Sequence, residues 1–116
     1  MQANLDLNKY EVRFWADGDC MDAPEAPIRI KNGQRVKANA FADDFNIYRD
    51  YDIIKHKVCI IQYVVQGERY FAVKQVVGFD ELTGNLRLAF YNPQKTFVYL
   101  KVEAIEKVYL VDSVEE

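Results

Sequence analysis

Apolar and polar residues alternate along most of this chain, which is the period-two pattern of strands that bury one face. The alternation predicts strands over Tyr10–Trp15 and, on a shorter scale, Ile28–Ile30. Alternation also predicts strands over Glu68–Val77 and Leu86–Tyr91. The nearly continuous apolar run Lys57–Val65 and the short runs Phe97–Leu100 and Val108–Val111 complete the predicted strands. Helical periodicity is scarce. Val102–Lys107 has room for one helical turn, and the irregular stretch Lys37–Lys55 is interpreted as a loop or a short helix.

Turn residues separate these apolar runs. Gln66-Gly67 divides the two longest runs, and glycine supplies the positive φ that a tight hairpin needs. Thr83-Gly84-Asn85 is a second turn, and Asn92-Pro93 ends the strand that follows it. The chain contains no internal repeat and no Pro/Gly-rich linker. The pattern therefore predicts a single mostly β domain over residues 1–116, a curved sheet or small barrel.

Composition and charge narrow the class of protein. Half of the residues are hydrophobic and 28% are charged, which is a globular balance. The chain carries 15 Lys and Arg against 18 Asp and Glu, so its net charge of −3 lacks the basic excess of a nucleic-acid groove. The start Met1–Lys9 is polar, and no apolar run reaches the roughly 20 residues that span a bilayer. We therefore expect a cytoplasmic protein with no membrane partner.

The two cysteines are far apart. Cys20 and Cys59 lie outside any CxxC spacing, so we expect free thiols and neither a disulfide framework nor a zinc site. His56 lies three residues before Cys59, which places the two on opposite faces of a strand, so a metal site there would need a bend. No cofactor or metal is expected.

The segment Gly18–Pro24 is the first candidate for chemistry. Glycine permits a tight turn that exposes the next side chains and aims N–H groups at a developing oxyanion. Cys20 is then a candidate nucleophile in a turn framed by Gly18, Asp19 and Met21. Asp19 and Asp22 are expected to orient the turn through side-chain bonds to the backbone. The alternative is an ordinary turn in which Cys20 packs as a small hydrophobe.

Lys74 is the second candidate, because it interrupts an apolar strand. Alternation places Tyr70, Ala72, Lys74 and Val76 on one face of that strand and the intervening residues on the other. A lysine amine held among apolar side chains can serve as a general base in a Ser-Lys or Cys-Lys dyad. The alternative is a lysine near a sheet edge that reaches solvent and discourages aggregation.

These motifs, in their order, resemble peptidase family S24, the family of LexA, UmuD and the phage CI-type repressors. Gly18–Pro24 is similar to its Gly-Asp-Ser-Met-x-Pro motif, with Cys20 in place of the nucleophilic serine. The segment Ile28–Val36, the strand motif Val73-Lys74-Gln75 and the run from Leu86 to Asn92-Pro93 follow in the family's order. The resemblance extends from Phe14 to Val111.

The resemblance implies roles for individual residues. Cys20 takes the nucleophile position, Lys74 the general-base position and Gly33 the glycine of the downstream turn. It also implies homodimers, self-cleavage stimulated by a recombinase filament, and operator DNA binding through an N-terminal helix-turn-helix domain that this chain lacks. Self-cleaving members carry an Ala-Gly or Cys-Gly bond upstream of the nucleophile, and no such dipeptide precedes Cys20.

Three functions follow as expectations. The first is the S24-like C-terminal domain of a LexA or phage-repressor type transcription regulator, either part of a longer repressor or a stand-alone relative. It would dimerise and cleave itself through Cys20 and Lys74. The second is a non-catalytic β module that binds a peptide in the former substrate cleft. The third is a hydrolase that acts on other chains, similar to the signal peptidases.

Overall fold

A computed structural model describes residues 11–41 and 45–115, and within them the prediction of a mostly β protein is confirmed. Seven strands form one antiparallel sheet in the order β1-β2-β7-β3-β4-β5-β6. Their bounds are Glu11–Trp15 (β1), Arg35–Ala40 (β2), Val58–Val65 (β3), Glu68–Asp80 (β4), Asn85–Phe90 (β5), Thr96–Lys101 (β6) and Ile105–Glu115 (β7). A helix, α1, covers Ile47–Ile54, and a 3-10 turn covers Val102–Ala104.

The hairpin between β3 and β4 forms the centre of the sheet, as predicted. Its register runs from Val58 opposite Gln75 to Val65 opposite Glu68. Gln66 and Gly67 both have positive φ, 52° and 79°, the combination that a two-residue turn of right-handed strand twist requires. β4 continues to Asp80, beyond the predicted end at Val77.

Each face of the sheet packs against a different part of the chain. On one face the loop between β1 and β2 contributes Ala16, Met21, Ala23 and Ile30 to a cluster with Val36, Ala38, Val58, Ile60, Ala89, Tyr91 and Tyr109. On the other face, α1 and Phe41 cover Cys59, Ile61, Val76, Leu86, Leu88, Val108 and Leu110. We call these the loop-side cluster and the helix-side cluster. Both faces of the sheet are therefore buried by apolar contact.

The sheet does not close into a barrel, so that part of the prediction is wrong. Among the described residues, β1 pairs with β2 alone and β6 with β5 alone, and the two stay apart as edges. The loop and the helix each cover part of one face, so an apolar core forms on both sides of the sheet without closure. None of the described helices is long and apolar enough to cross a bilayer.

Two local predictions need correction or completion. Ile28–Ile30 is not a strand but a part of the β1–β2 loop, where Ile30 is 2% exposed and its N–H donates to the Met21 carbonyl at 3.1 Å. The irregular stretch that begins at Lys37 holds the end of β2 and then α1. The predicted helical turn is present at Val102–Ala104. Tyr10, the predicted first residue of β1, lies outside the described residues, as does the polar start Met1–Lys9.

Candidate functional site

The structure brings the side chains of Cys20 and Lys74 together although 54 residues separate them. Lys74 Nζ donates to Cys20 Sγ at 3.2 Å. Sγ also lies 3.4 Å from the Val73 carbonyl oxygen, which accepts from the thiol in its protonated form. On its other side, Nζ lies 5.2 Å from the centre of the Phe90 ring, a distance at which a cation is attracted to the aromatic face. The two residues therefore form one polar pair beside an aromatic ring.

Cys20 is positioned by the end of β5. Its main-chain carbonyl accepts from the backbone N–H groups of Tyr91, at 2.7 Å, and Asn92, at 3.0 Å. The pairing of β4 with β5 ends at Gln75 opposite Ala89, so β5 leaves the preceding part of β4 uncovered on that side. The Cys20 turn fills this place beside Val73. The end of β5 and the turn at Cys20 therefore both lie beside Lys74 of β4.

The predicted turn residues take part in hydrogen bonds that hold the loop. Gly18 adopts φ 106°, which favours glycine, and its N–H donates to the Asn32 side-chain oxygen at 2.9 Å. The Asp19 carbonyl accepts from the Asp22 N–H at 2.9 Å and from Asn92 Nδ2 at 3.0 Å. The Gly18 N–H is therefore committed to Asn32 and is not free for a substrate in this arrangement.

Met21 and Gly33 fix the two ends of the loop. Met21 is 1% exposed in the loop-side cluster, and its carbonyl accepts from the Ile30 N–H at 3.1 Å. Gly33 has φ 85°, and its N–H donates to the Ala16 carbonyl at 2.9 Å. Contrary to the expectation, the Asp22 side chain makes no bond to the turn backbone within the described residues. Its carboxylate instead accepts from Arg29 Nε at 2.8 Å.

A cleft of about 260 Å³ opens over the Cys20–Lys74 pair. Its walls are largely aromatic and aliphatic, and its lining includes Phe14, Trp15, Tyr63, Phe71, Ala72 and Val73. Phe14 and Phe71 meet with ring centres 5.8 Å apart, while Trp15 and Phe71 stay 71% and 54% exposed at the rim. Binding sites are typically concave, with mostly apolar walls and a few polar groups, and this cleft has that composition.

The two cysteines differ in surroundings. Cys20 is half-buried in the cleft, whereas Cys59 is fully buried in the helix-side cluster. Burial strongly raises the pKa of the Cys59 thiol above its usual range, because the charged form is poorly solvated there. Cys20 is therefore the thiol that is available for chemistry.

Lys74 makes no ion pair with a carboxylate in the described part of the chain, so Sγ is its close polar partner. The thiolate is the nucleophilic form of a cysteine, and reactive cysteines commonly lie beside basic side chains. In 11–41 and 45–115 no three His, Cys, Asp or Glu side chains come together as metal ligands would. What the geometry offers is a nucleophile with an adjacent proton donor and acceptor.

Several residues that build this site carry no local sequence signal. Asn32 holds Gly18, Asn92 holds Asp19, and Phe90 lies against Lys74. All three contacts join segments far apart in sequence. Asn92 stands in the sequence as a strand-ending residue and as part of the family-like Asn92-Pro93 motif, but its side-chain contact with Asp19 depends on how the sheet folds.

Comparison of the chain with family models, with curated proteins and with solved structures gives no match.

Proposed function

We propose that this chain is an S24 peptidase-like domain of a LexA or phage-repressor type regulator, which self-associates and cleaves a peptide bond with Cys20 and Lys74. The observation that carries the proposal is the 3.2 Å contact between Nζ and Sγ at the floor of an apolar cleft. The order of the motifs from Phe14 to Val111 supports the family, and operator binding would belong to a helix-turn-helix domain outside these 116 residues.

The reaction follows from the two groups in contact. The Cys20 thiolate attacks the carbonyl carbon of the scissile bond, and Lys74 donates a proton to the leaving amine as the C–N bond breaks. A thioester to Sγ remains. Lys74, now neutral, takes a proton from water, whose oxygen attacks the thioester and restores the thiolate and the ammonium. In this scheme Lys74 acts first as an acid, unlike the lysine of a Ser-Lys dyad, which begins as a base.

An activated ester tests this chemistry without knowledge of the natural peptide. Reduced protein is mixed with p-nitrophenyl acetate, and both nitrophenol release and the mass of the protein are followed. We expect an acetyl group on Cys20, turnover that is lost in Cys20→Ala, and turnover reduced roughly 100-fold in Lys74→Ala. Lys95→Ala is the matched control, since Lys95 also lies over aromatic rings, those of Tyr91 and Phe97, with no cysteine beside it. Equal turnover in wild type and Lys74→Ala would contradict the proposal.

A non-catalytic peptide-binding module is the second candidate. Two observations favour it: cysteine stands where the resembled family has serine, and no Ala-Gly or Cys-Gly dipeptide precedes Cys20. The aromatic rim of Trp15 and Phe71 would then hold a peptide without cutting it. Fluorescent casein fragments that bind wild type and Cys20→Ala equally and stay intact would favour this function over the first.

A further inference from the structure

The Cys20–Lys74 pair has the geometry of an oxidation-sensitive cross-link. We propose that a hydroperoxide converts Cys20 to a sulfenic acid and that Lys74 captures it as an S–N bond, a sulfenamide, which removes both groups from the chemistry of the cleft. The inference goes beyond the proposed function, because the chemistry needs only the contact between Nζ and Sγ and no peptidase activity. Sulfenic acids are known to condense with nitrogen nucleophiles as well as with thiols.

The first step is selective for Cys20. Its sulfur lies in an open cleft beside a cationic amine, the setting in which thiols are oxidised most readily. The thiolate attacks one peroxide oxygen, the O–O bond breaks, and the other oxygen leaves as water or an alcohol after it takes up a proton. Sulfur is oxidised by two electrons and the peroxide is reduced by two. Cys59, fully buried, is shielded from this step.

The second step is set by which nucleophile is nearest to the oxidised sulfur. Cys59 packs in the helix-side cluster, whereas Cys20 packs against the loop-side cluster on the other face of the sheet. Cys59 is 0% exposed there, so its thiol is shielded from the oxidised sulfur. Among the described residues, two polar groups contact Sγ. The Val73 carbonyl is not a nucleophile, whereas Lys74 Nζ is one and lies 3.2 Å away. In its unprotonated form Nζ attacks sulfur, the S–O bond breaks, and the hydroxide leaves with a proton from nitrogen as water.

The product removes both reactive groups of the site at once. Sulfur no longer carries a negative charge, nitrogen no longer carries a positive one, and the bond fixes β4 to the loop at Cys20. Two equivalents of a small thiol reverse it, because they restore the cysteine and the lysine and become a disulfide. The cross-link would therefore inactivate the Cys20–Lys74 pair reversibly.

Mass spectrometry of the full chain, treated with hydrogen peroxide and then digested, tests the proposal. The expected product is a linked pair of peptides, one with Cys20 and one with Lys74, lighter by two hydrogen atoms than the two peptides together. Dithiothreitol should abolish it. Lys74→Arg retains a cation beside sulfur but lacks a comparable amine nucleophile, so it should give no link and should accumulate sulfenic acid that dimedone traps. Cys59→Ala and Lys95→Arg, the matched controls, should form the link as wild type does.

The outcomes separate this proposal from the peptidase. Cys20 that is oxidised to sulfinic acid or to an intermolecular disulfide, equally in wild type and Lys74→Arg, would overturn the cross-link whatever the esterase result. Peroxide-treated protein that leaves Cys20 unmodified would overturn it too. A linked pair in a protein without esterase activity would support the cross-link and count only against the peptidase.

Discussion

At the scale of single residues, the two cysteines show how surroundings decide reactivity. Cys20 and Cys59 are the same chemical group, yet one lies in a cleft against an amine and the other is sealed among aliphatic side chains. Alkylation of Cys59 requires local opening of β3, since the thiol is 0% exposed and burial raises its pKa. The accessible thiol should therefore dominate any reaction with an electrophile.

We predict that iodoacetamide modifies Cys20 faster than Cys59 by on the order of 100-fold at neutral pH. Lys74→Ala should slow Cys20 roughly tenfold, because the cation that stabilises the attacking thiolate is gone. Lys74→Arg should restore most of the rate, and Cys59 should respond to neither variant. Peptide mapping measures the alkylation rate of each cysteine in the wild type and in both variants. A Cys20 rate that ignores Lys74 would show that the contact has no chemical effect.

The sequence indicated both members of the pair but not the residues that hold them. Cys20 after a Gly-Asp turn and Lys74 within an apolar strand are visible as unusual residue types in their local patterns. The hydrogen bond from the Asn92 side chain to the Asp19 carbonyl depends on where β5 ends relative to the loop. Such contacts depend on tertiary packing, which alternation along one strand does not describe.

At the scale of elements, the strands were predictable where the apolar runs were long. β3 and β4 lie within about three residues of the expected ranges, because β3 is a long, nearly continuous apolar run and β4 a long alternating one. Ile28–Ile30 was too short to tell a strand from a loop that buries one isoleucine. The sequence does not decide between a loop and a helix at α1, although Asn46 accepts from the N–H groups of Tyr48 and Arg49 as a helix N-cap. Its two turns give little periodicity to detect.

The β3–β4 turn yields a stability prediction. Gly67→Ala should destabilise the protein by about 1 kcal/mol, because the residue has φ 79° and a Cβ is disfavoured there even though space is open. Gly78→Ala is the matched control: its φ is not in the left-handed region, and its new Cβ would meet Arg87 carbons at ordinary distances of 3.7 and 3.9 Å. Urea unfolding measures both. A larger loss for Gly78→Ala would contradict this account.

A charged contact across three strands gives a pH prediction. Glu106 on β7 accepts from Arg69 on β4 and from Gln62 on β3 at 2.7 and 2.8 Å, and these bonds lower the pKa of its carboxyl to about 2. A lowered pKa favours the folded state above the ordinary value of 4.5, and this contribution fades as the pH falls through about 2.

Arg69→Ala should raise the Glu106 pKa toward its ordinary value, because the hydrogen bond from Arg69 is the largest cause of the lowered pKa. NMR titration of the carboxyl carbon in both proteins measures the change. Stability near neutral pH should change little, because Arg69 is exposed and such pairs contribute weakly in water. An unchanged titration in Arg69→Ala would show that the pair does not persist in solution.

At the scale of the whole molecule, the open sheet has edge strands, which a closed barrel does not have. It leaves two edge strands, β1 and β6, each paired on one side within the described residues. β1 carries the charged side chains of Glu11 and Arg13, whereas β6 exposes Phe97 and Tyr99 at 40% and 63%. Unpaired backbone groups beside apolar side chains favour strand addition by another chain. β6 is therefore the edge better suited to self-association.

We predict that the protein forms dimers through paired β6 edges, an arrangement in which each copy offers the same surface to the other. Sedimentation velocity from low to high micromolar concentration should show a monomer–dimer equilibrium. Tyr99→Lys should shift it toward monomer, because the new charge would be buried at the interface. Trp15→Lys, at the exposed end of β1, is the matched control and should leave the equilibrium unchanged. Dimers sensitive to Trp15→Lys and insensitive to Tyr99→Lys would move the interface to β1, and a monomer at every concentration would rule out self-association of this chain.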